Sequence, residues 1–200
     1  MLKNSFSKYK NKKNIFTGLL FLSILFCSGQ ALLAKESPNS LIEQLKEINA
    51  NVIFMRHALA PGFGDPENFD LNNCETQRNL DDEGRQQAID TGNYLRSEEL
   101  KFDKIYSSQW CRCIETTKLL NFNIEEYFAG LNSFFQGHVS KKKTLDLLKK
   151  KLSQLDISTL TMMVTHQVVI SAVTGIYISS GKMVAYNTDT GKAVLLDLKI

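Results

Sequence analysis

Two arginines and two histidines occupy positions from which they could act together on one ligand. Arg56 and His57 directly follow a run of four apolar residues, and His166 follows a second apolar run. Arg112 lies near the start of a segment with helical periodicity. A guanidinium matches phosphate oxygens with its planar fork, and an imidazole can attack phosphorus. These residue types therefore predict a pocket that binds a phosphoryl group and carries it as a phosphohistidine.

Phosphoryl transfer depends mainly on positioning and on neutralising the charge of the phosphoryl oxygens. The two arginines can supply the positive charge, so we expect a metal-independent site with no cofactor. A zinc site is one alternative for the histidines, but no acidic residue or further histidine has a suitable spacing, and His138 falls in a segment without a regular pattern. Each histidine alone could also be an ordinary half-buried residue at a strand end.

The elements that must position these residues alternate along the chain. Apolar runs predict strands at 51–58, 102–108, 124–128 and 160–166, and a closing hairpin at 183–186 and 193–198. Amphipathic segments predict helices at 41–48, 81–96, 109–120, 141–155 and 168–174. This alternation predicts an α/β fold, a three-layer α/β/α sandwich with a mainly parallel central sheet. The carboxyl ends of parallel strands meet at one edge, which would bring the two arginines and the two histidines together.

The N-terminal segment has the composition of an export signal. Residues 1–14 contain five lysines and no acidic residue, and residues 15–26 are largely apolar. This layout predicts a secretory signal peptide, cleaved after Ala31 or Ala34, and an uncleaved membrane anchor is the alternative. We therefore divide the chain into a signal peptide or anchor at 1–34, a linker with a short helix at 35–50, and a catalytic domain at 51–200.

The positive net charge of the chain comes from the predicted export segment. Loss of residues 1–34 removes five lysines and no acid, which takes the formal charge from +3 to −2. The remaining composition gives no reason to expect nucleic-acid binding. We expect an exported protein, either periplasmic or membrane-anchored and facing the periplasm, with any membrane association through the N-terminal segment. The sequence does not indicate an oligomeric state.

Three cysteines lie beyond the N-terminal segment, at Cys74, Cys111 and Cys113. In an oxidising compartment a disulfide is the default expectation, and the third cysteine stays free. Cys111 and Cys113 are two positions apart on a predicted helix, so they point to different faces and cannot both meet Cys74. We take Cys74–Cys111 as the working pair, with Cys113 as the open alternative. A metal site that uses the C-x-C pair is the alternative, but no second Cys or His pair lies nearby in the sequence.

Several separated motifs resemble those of the histidine phosphatase superfamily, also called phosphoglycerate mutase-like. The family has a strand that ends in Arg-His, usually followed by Gly, where this chain has Ala58. Its Ser-Ser/Pro-x-x-x-Arg segment is matched by 107–112, and its Leu-x-x-x-Gly-x-x-Gln-Ala stretch by 80–88. A second histidine follows a late strand, as His166 does. The resemblance extends over about residues 51–175, and a lone Arg-His would carry almost no information.

The resemblance implies a role for each matching residue. His57 would be the phosphorylated nucleophile, and Arg56, Arg112 and His166 would hold the phosphoryl oxygens. Arg78 and Gln167 are further candidates for contacts with the substrate; Gln167 replaces the Gly or Asp of better-known branches. An alanine at position 58 would crowd the backbone if that position needed a positive φ.

The general acid is missing from the expected place. The family usually has a Glu or Asp after the third strand, to protonate the leaving oxygen, and here that region reads Leu131-Asn132. We take Glu126 as the candidate acid. Other carboxylates that could donate are Glu125 and the three in the long loop after His57, namely Asp65, Glu67 and Asp70. Without a positioned acid, activity would be limited to substrates with good leaving groups.

These features predict an exported phosphomonoesterase acting on a small or envelope-linked phosphate monoester. The motifs resemble small envelope-associated members of the family, such as those acting on lipopolysaccharide core heptose phosphate, more than they resemble glycolytic mutases. A non-catalytic phosphoryl-binding protein on the same fold is the alternative, and a structural envelope protein is a third. Lysines at 141–143 and 149–151 predict a solvated helix face that could steer anionic substrates.

Overall fold

A six-stranded sheet forms the centre of the computed structural model, which describes residues 40–123 and 125–200. The strands are β1 (Val52–Arg56), β2 (Lys104–Ser107), β3 (Glu126–Tyr127), β4 (Thr161–Thr165), β5 (Met183–Tyr186) and β6 (Ala193–Leu195). The helices are α1 (Leu41–Glu47), α2 (Asp82–Ser97), α3 (Cys111–Leu120), α4 (Lys141–Leu152) and α5 (Gln167–Thr174). The signal or anchor segment at 1–34 lies outside the described residues. Within the described ranges, no helix is long and apolar enough to cross a membrane.

The strand order is β3-β2-β4-β1-β5-β6, and the first four strands are parallel to one another. β5 runs antiparallel to β1, and β6 runs antiparallel to β5. The prediction of a mainly parallel α/β sheet is therefore confirmed. The elements differ from the predicted ones at their ends; β3, for example, has only two residues, because only Tyr106 and Ser107 of β2 pair with it.

Side chains on both faces of the sheet are buried, which explains the continuous apolar runs in the sequence. Along β1, Ile53 and Met55 pack into a cluster with residues from α1, α2 and α3. Val52 and Phe54 point the other way, into a cluster with residues from α4 and α5. The helices therefore cover the sheet on two sides, and the fold has the three layers that the sequence predicts.

The first turn of α2 lies against the segment that follows His57. Asp81 caps this helix, its Oδ1 accepting a hydrogen bond from the Gly84 N–H at 2.7 Å. A Cβ atom on Gly84 would come within 1.9 Å of the Leu59 carbonyl oxygen, so only glycine allows the contact. The glycine of the 80–88 motif thus supports the backbone immediately beyond His57.

A disulfide joins Cys74 to Cys111, the first residue of α3, with a Cα–Cα distance of 5.7 Å. Cys113 is free and buried in the core. This disulfide therefore links the long loop after β1 to α3, the helix that carries Arg112. Gln77 strengthens the same junction, because its Oε1 accepts a hydrogen bond from the Cys111 N–H at 2.9 Å.

Candidate active site

The carboxyl edge of the parallel strands brings together the arginines and histidines that the sequence singled out. They line one cavity of about 140 Å³, whose charged and polar walls include Arg56, His57, Arg78, Arg112, His166 and Gln167. Arg56 ends β1, Arg112 lies in the first turn of α3, and His166 directly follows β4. Two imidazoles and three guanidiniums therefore surround one small volume, with Arg78 contributed by the long loop after β1.

His57 is held with one ring nitrogen facing Arg112. Its Nδ1 lies 2.8 Å from the Ala58 carbonyl oxygen, which can only accept, so Nδ1 carries the proton. Nε2 then keeps its lone pair and accepts a hydrogen bond from Arg112 Nε at 3.2 Å. Ala58 is not among the residues with positive φ, so its side chain is accommodated without strain. This tautomer is the one that a nucleophilic histidine needs.

Arg112 is fixed by contacts along two of its edges. Its Nη1 and Nη2 donate to the two carboxylate oxygens of Asp65, at 2.7 and 3.2 Å. The other edge, formed by Nε and Nη2, faces His57 Nε2 at 3.2 Å and His166 Nδ1 at 3.4 Å. This second edge is the one that could give parallel hydrogen bonds to two phosphoryl oxygens.

Asp65 is a buried carboxylate with four donors around it. Besides Arg112, it accepts from the Arg78 backbone N–H at 3.0 Å and from Trp110 Nε1 at 3.0 Å. Burial raises the pKa of the Asp65 carboxyl, but the hydrogen bonds and the charge of Arg112 outweigh burial and hold the pKa below 3.8. Asp65 therefore stays ionised and orients Arg112, and it has no proton to donate to a leaving group.

His166 is oriented by Ser108, which directly follows β2. Ser108 Oγ donates to Asn132 Oδ1 at 3.1 Å, and it lies 2.9 Å from His166 Nε2. With its one proton directed at Asn132, Ser108 Oγ accepts from Nε2–H, which leaves the lone pair of His166 on Nδ1. That lone pair faces Arg112 Nη2. A bound phosphate dianion would favour a second proton on Nδ1, which would give His166 a hydrogen bond to the phosphoryl group.

Arg56 has an unsatisfied donor in the wall of the cavity. Its Nη1 donates to the Ile178 carbonyl oxygen at 3.0 Å, whereas its Nε is buried without a hydrogen-bond partner. Buried donors are rarely left unpaired, so this N–H is consistent with a place for a ligand oxygen. Gln167 and Val168 also line the cavity, at the first turn of α5, where backbone N–H groups lack partners within the helix.

Arg78 adds a third cation. Its Nε donates to the Gly64 carbonyl oxygen at 2.9 Å, and its Nη1 donates to the Ala60 carbonyl oxygen. Burial, followed by the charge of Arg112, lowers its pKa to about 10, so it remains protonated at neutral pH. With one carboxylate among three guanidiniums and neutral histidines, the site has a net charge of about +2, which matches a phosphate monoester dianion.

The pKa values of both histidines are lowered well below 6.5. For His57 the causes are burial and then the charge of Arg112, which outweigh the hydrogen bond to Ala58. For His166 they are burial, Arg112 and His57. Both rings are therefore neutral in the free protein at pH 7, so the Nε2 lone pair of His57 is available.

We expect stability to fall as the pH drops below 6.5. The unfolded chain binds a proton at each of these two histidines, but the folded chain does not until the pH reaches the lowered pKa values. Between pH 6.5 and 5.5 the free energy of unfolding should fall by about 1 kcal/mol for each histidine, or about 2 kcal/mol for both, because an unfolded imidazole goes from half to almost fully protonated over this range. Urea unfolding in phosphate-free buffer between pH 6.5 and 5.5 measures this slope. The double variant His57→Asn/His166→Gln should lose this pH dependence. An unchanged slope in the variant would refute the conclusion that the two histidines are buried in the neutral form.

Glu126, the candidate general acid, is not at the site. It is exposed on β3, where its side chain forms an ion pair with Lys104 at 2.9 Å, and it does not line the cavity. This placement corrects the prediction for Glu126.

The other carboxylates do not supply an acid in its place. Glu67, Asp70 and Glu125 are exposed, and none of them lines the cavity. Asn132, where the family pattern would have its acid, is buried and hydrogen-bonded to Ser108 and Gln109. In the described part of the chain, no carboxylic acid faces the cavity as a proton donor.

Sequence reasoning missed the residues that orient the site. The sequence predicts Asp65 only as a candidate acid, and it indicates no separate role for Ser108 within the motif at 107–112. The motif Ser-Ser-x-x-x-Arg does contain Ser108 and Trp110, so their proximity to Arg112 could have been noticed. The contact of Trp110 Nε1 with Asp65 joins residues 45 positions apart and leaves no local pattern.

No group of three or more His, Cys, Asp or Glu side chains that could hold a metal ion occurs in residues 40–123 and 125–200. The positive charge that lines the cavity is that of the three guanidiniums, and the first turn of α5 adds backbone N–H groups.

Comparison with known families supports one class of protein. Residues 52–129 match the model described as histidine phosphatase superfamily (branch 1). This span contains His57 and Arg112 but ends before His166. No curated protein sequence matches the chain. The family match and the fold together support the histidine phosphatase superfamily as the class to which this sequence is similar.

Solved structures share the fold at low sequence identity. The protein histidine phosphatase SixA complexed with tungstate has a TM-score of 0.50 and 14% identity, over 73% of this chain and 94% of its own. A phosphoserine phosphatase from Entamoeba histolytica, complexed with 3-phosphoglyceric acid, has a TM-score of 0.51 and 14% identity, over 74% and 95%. A protein from Thermus thermophilus has a TM-score of 0.53 and 18% identity, over 74% and 99%. These likenesses show a histidine phosphatase-like fold.

Proposed function

We propose that this chain is a phosphomonoesterase that hydrolyses its substrate through a phosphohistidine on His57. One observation carries the proposal: the unprotonated Nε2 of His57 lies 3.2 Å from Arg112 Nε, inside a cavity with three guanidiniums. A tetrahedral oxyanion is the ligand that this combination suits. The SixA structure with bound tungstate, which is such an oxyanion, is consistent with the proposal.

The reaction would proceed in two displacements. The Nε2 lone pair of His57 attacks phosphorus, the ester P–O bond breaks, and the leaving group departs with the bonding electrons. A water molecule then attacks the phosphohistidine, the P–N bond breaks, and Nε2 regains its lone pair. Arg56 and Arg112 hold the phosphoryl oxygens in both steps, and the first turn of α5 adds N–H donors.

The positive charge of the guanidiniums is the reason that we propose a metal-independent enzyme. Arg56, Arg78 and Arg112 can neutralise the phosphoryl charge that Mg²⁺ neutralises in many phosphotransferases. Phosphate release from 4-nitrophenyl phosphate should therefore be the same with and without excess EDTA. Loss of activity on chelation, restored by one divalent ion, would contradict this part of the proposal.

The rate should depend strongly on the leaving group. With Asn132 in the region where an acid is expected, the leaving oxygen takes its proton from water. A general acid contributes about 10²–10⁴-fold, so alkyl phosphates should react slower than aryl phosphates by at least about 10²-fold. A series of substituted phenyl phosphates, extended to an alkyl phosphate, measures this in kcat/KM. Equal values across the series would show that a proton donor is present.

We propose that residues 1–34 direct export, and that the substrate is a phosphosugar of the cell envelope. Five N-terminal lysines followed by an apolar stretch support export, and so does the Cys74–Cys111 disulfide, because disulfides persist in oxidising compartments. Mass spectrometry of the protein recovered from the periplasm tests this. A mature N-terminus at Lys35 or near Leu32 is expected for a cleaved signal, and an intact Met1 for an anchor.

A non-catalytic phosphoryl-binding protein is the second candidate. The amide of Asn132, in place of an acid, favours it, because binding needs the guanidiniums but no proton donor. Titration with inorganic phosphate, combined with assays on aryl phosphates, separates the two functions. Binding without phosphate release from any monoester would favour the binding protein.

A further inference from the structure

Two phenylalanine rings form the rim of the candidate active site. Phe63 is 90% exposed and Phe135 is 38% exposed. Their rings meet edge to face with centroids 5.1 Å apart. Both side chains line the same cavity as Arg56 and His57. An apolar surface of this kind beside a charged pocket is typical of a binding site and is unusual on an otherwise polar surface.

The backbone holds this aromatic pair in place. Phe63 lies between Gly62 and Gly64, whose φ values of +91° and +73° favour glycine and turn the chain so that the ring projects from the loop. Arg78 Nε donates to the Gly64 carbonyl oxygen at 2.9 Å, which ties this turn to the floor of the site.

Gln136 connects the two loops that carry the rings. Its Oε1 accepts from the Asp65 N–H at 2.7 Å, and its Nε2 donates to the Asp65 carbonyl oxygen at 3.2 Å. The hydrogen bonds between Gln136 and the Asp65 backbone therefore hold together the two turns that expose Phe63 and Phe135. The side chain of Asp65 also orients Arg112.

The direction of the reaction places the leaving group beside these rings. In an in-line displacement the leaving oxygen departs on the side of phosphorus opposite the attacking atom. His57 lines the cavity and is only 2% exposed, whereas Phe63 is 90% exposed, so we place His57 at the inner end and Phe63 at the rim. The leaving group therefore points outward, toward the rim, where Phe63 and Phe135 lie.

We propose that Phe63 and Phe135 form a leaving-group subsite for a flat ring with an apolar face. The proposal rests on the proposed phosphatase activity and adds a substrate class to it. A ring packed on Phe63 would bury apolar surface that is now exposed, and ring pairs of this kind have a preferred geometry. An aryl ring and the C–H face of a sugar ring share this chemistry.

The test compares substrates with and without a ring. Acetyl phosphate has no ring, 1-naphthyl phosphate has an aryl ring, and glucose 6-phosphate has a sugar ring. Phe63→Ala should lower kcat/KM by about 10-fold for at least one ring substrate, and should leave acetyl phosphate within about twofold. A lower kcat/KM with 1-naphthyl phosphate assigns an aryl group to the subsite, and a lower kcat/KM with glucose 6-phosphate assigns a sugar ring. No change with either substrate would overturn the proposal.

Tyr127→Ala is the matched control, because this exposed aromatic residue lies on β3 and does not line the cavity. It should leave all three kcat/KM values within about twofold of the wild type. Equal losses in Tyr127→Ala and Phe63→Ala would contradict a specific subsite.

A binding measurement separates this proposal from the proposed activity. Benzylphosphonate and methylphosphonate differ by a ring and cannot release phosphate. Their affinities can be followed through the fluorescence of Trp110, the single tryptophan, whose ring centroid is 5.4 Å from that of His166. Benzylphosphonate should bind more tightly, and Phe63→Ala should remove most of the difference. If no monoester is hydrolysed, the phosphatase proposal fails, but the ratio of the affinities for benzylphosphonate and methylphosphonate still tests the subsite.

Discussion

Replacing His57 with asparagine is expected to lower kcat/KM for 4-nitrophenyl phosphate by about 10⁴-fold or more, equivalent to at least about 5 kcal/mol of transition-state stabilisation. The physical reason is that the variant has no ring nitrogen to attack phosphorus, so the two-step route through a phosphohistidine is closed. The guanidiniums remain and still bind the phosphoryl group. Phosphate affinity should therefore change much less than the rate, which a fluorescence titration through Trp110 can establish.

His138→Asn provides the matched control for that substitution. His138 is the remaining histidine of the chain, and its ring stacks on Phe69 at a centroid distance of 4.3 Å, outside the cavity. This variant should retain kcat/KM within a fewfold of the wild type. If His57→Asn retained comparable turnover, His57 would not be the nucleophile.

Asp65→Asn is expected to destabilise the fold and to slow the reaction. The substitution leaves the charge of Arg112 buried without its partner, since the two side chains are each only 4% exposed and bind through two hydrogen bonds. Removing one partner of a buried pair costs about 3–5 kcal/mol. Arg112 also loses the contact that fixes its free edge toward His57, and such misplacement can cost about 10²-fold in rate.

An exposed ion pair gives the comparison for Asp65. Lys142 and Asp146 are 2.6 Å apart on α4, with side chains 87% and 63% exposed. Asp146→Asn should change the free energy of unfolding by no more than about 0.5 kcal/mol and leave activity intact. Urea unfolding and kcat/KM of both variants provide the measurement. If Asp65→Asn lowered the free energy of unfolding by less than about 1 kcal/mol, Asp65 would not be the partner that holds a buried Arg112.

The fold could be predicted from the sequence because its strongest signals are local. Apolar runs that end in Arg56-His57 and before His166, with helical segments between them, imply a parallel sheet and a shared edge. The structure has this sheet, with β1 paired to β4 and β4 to β2. The element ends were less predictable, because they depend on how far each neighbouring strand extends.

The arrangement around the cavity could be predicted only in part. The sequence motifs place Arg56, His57, Arg112 and His166 at one edge, and the structure brings these four residues together. The long loop after β1 has no periodicity, so the sequence does not reveal that Asp65 turns inward to meet Arg112 while Phe63 turns outward. For the same reason the sequence left five carboxylates as candidate acids, although the structure places none of them as a donor.

The most direct test of the central claim is to trap the intermediate. The wild-type protein is mixed with 4-nitrophenyl phosphate, quenched in alkali within milliseconds to seconds, digested, and examined by mass spectrometry. The account predicts an acid-labile, alkali-stable phosphate on His57, which disappears in His57→Asn and remains in His138→Asn. Steady phosphate release with no phosphorylated His57 at any time, or with the phosphate on another residue, would contradict it.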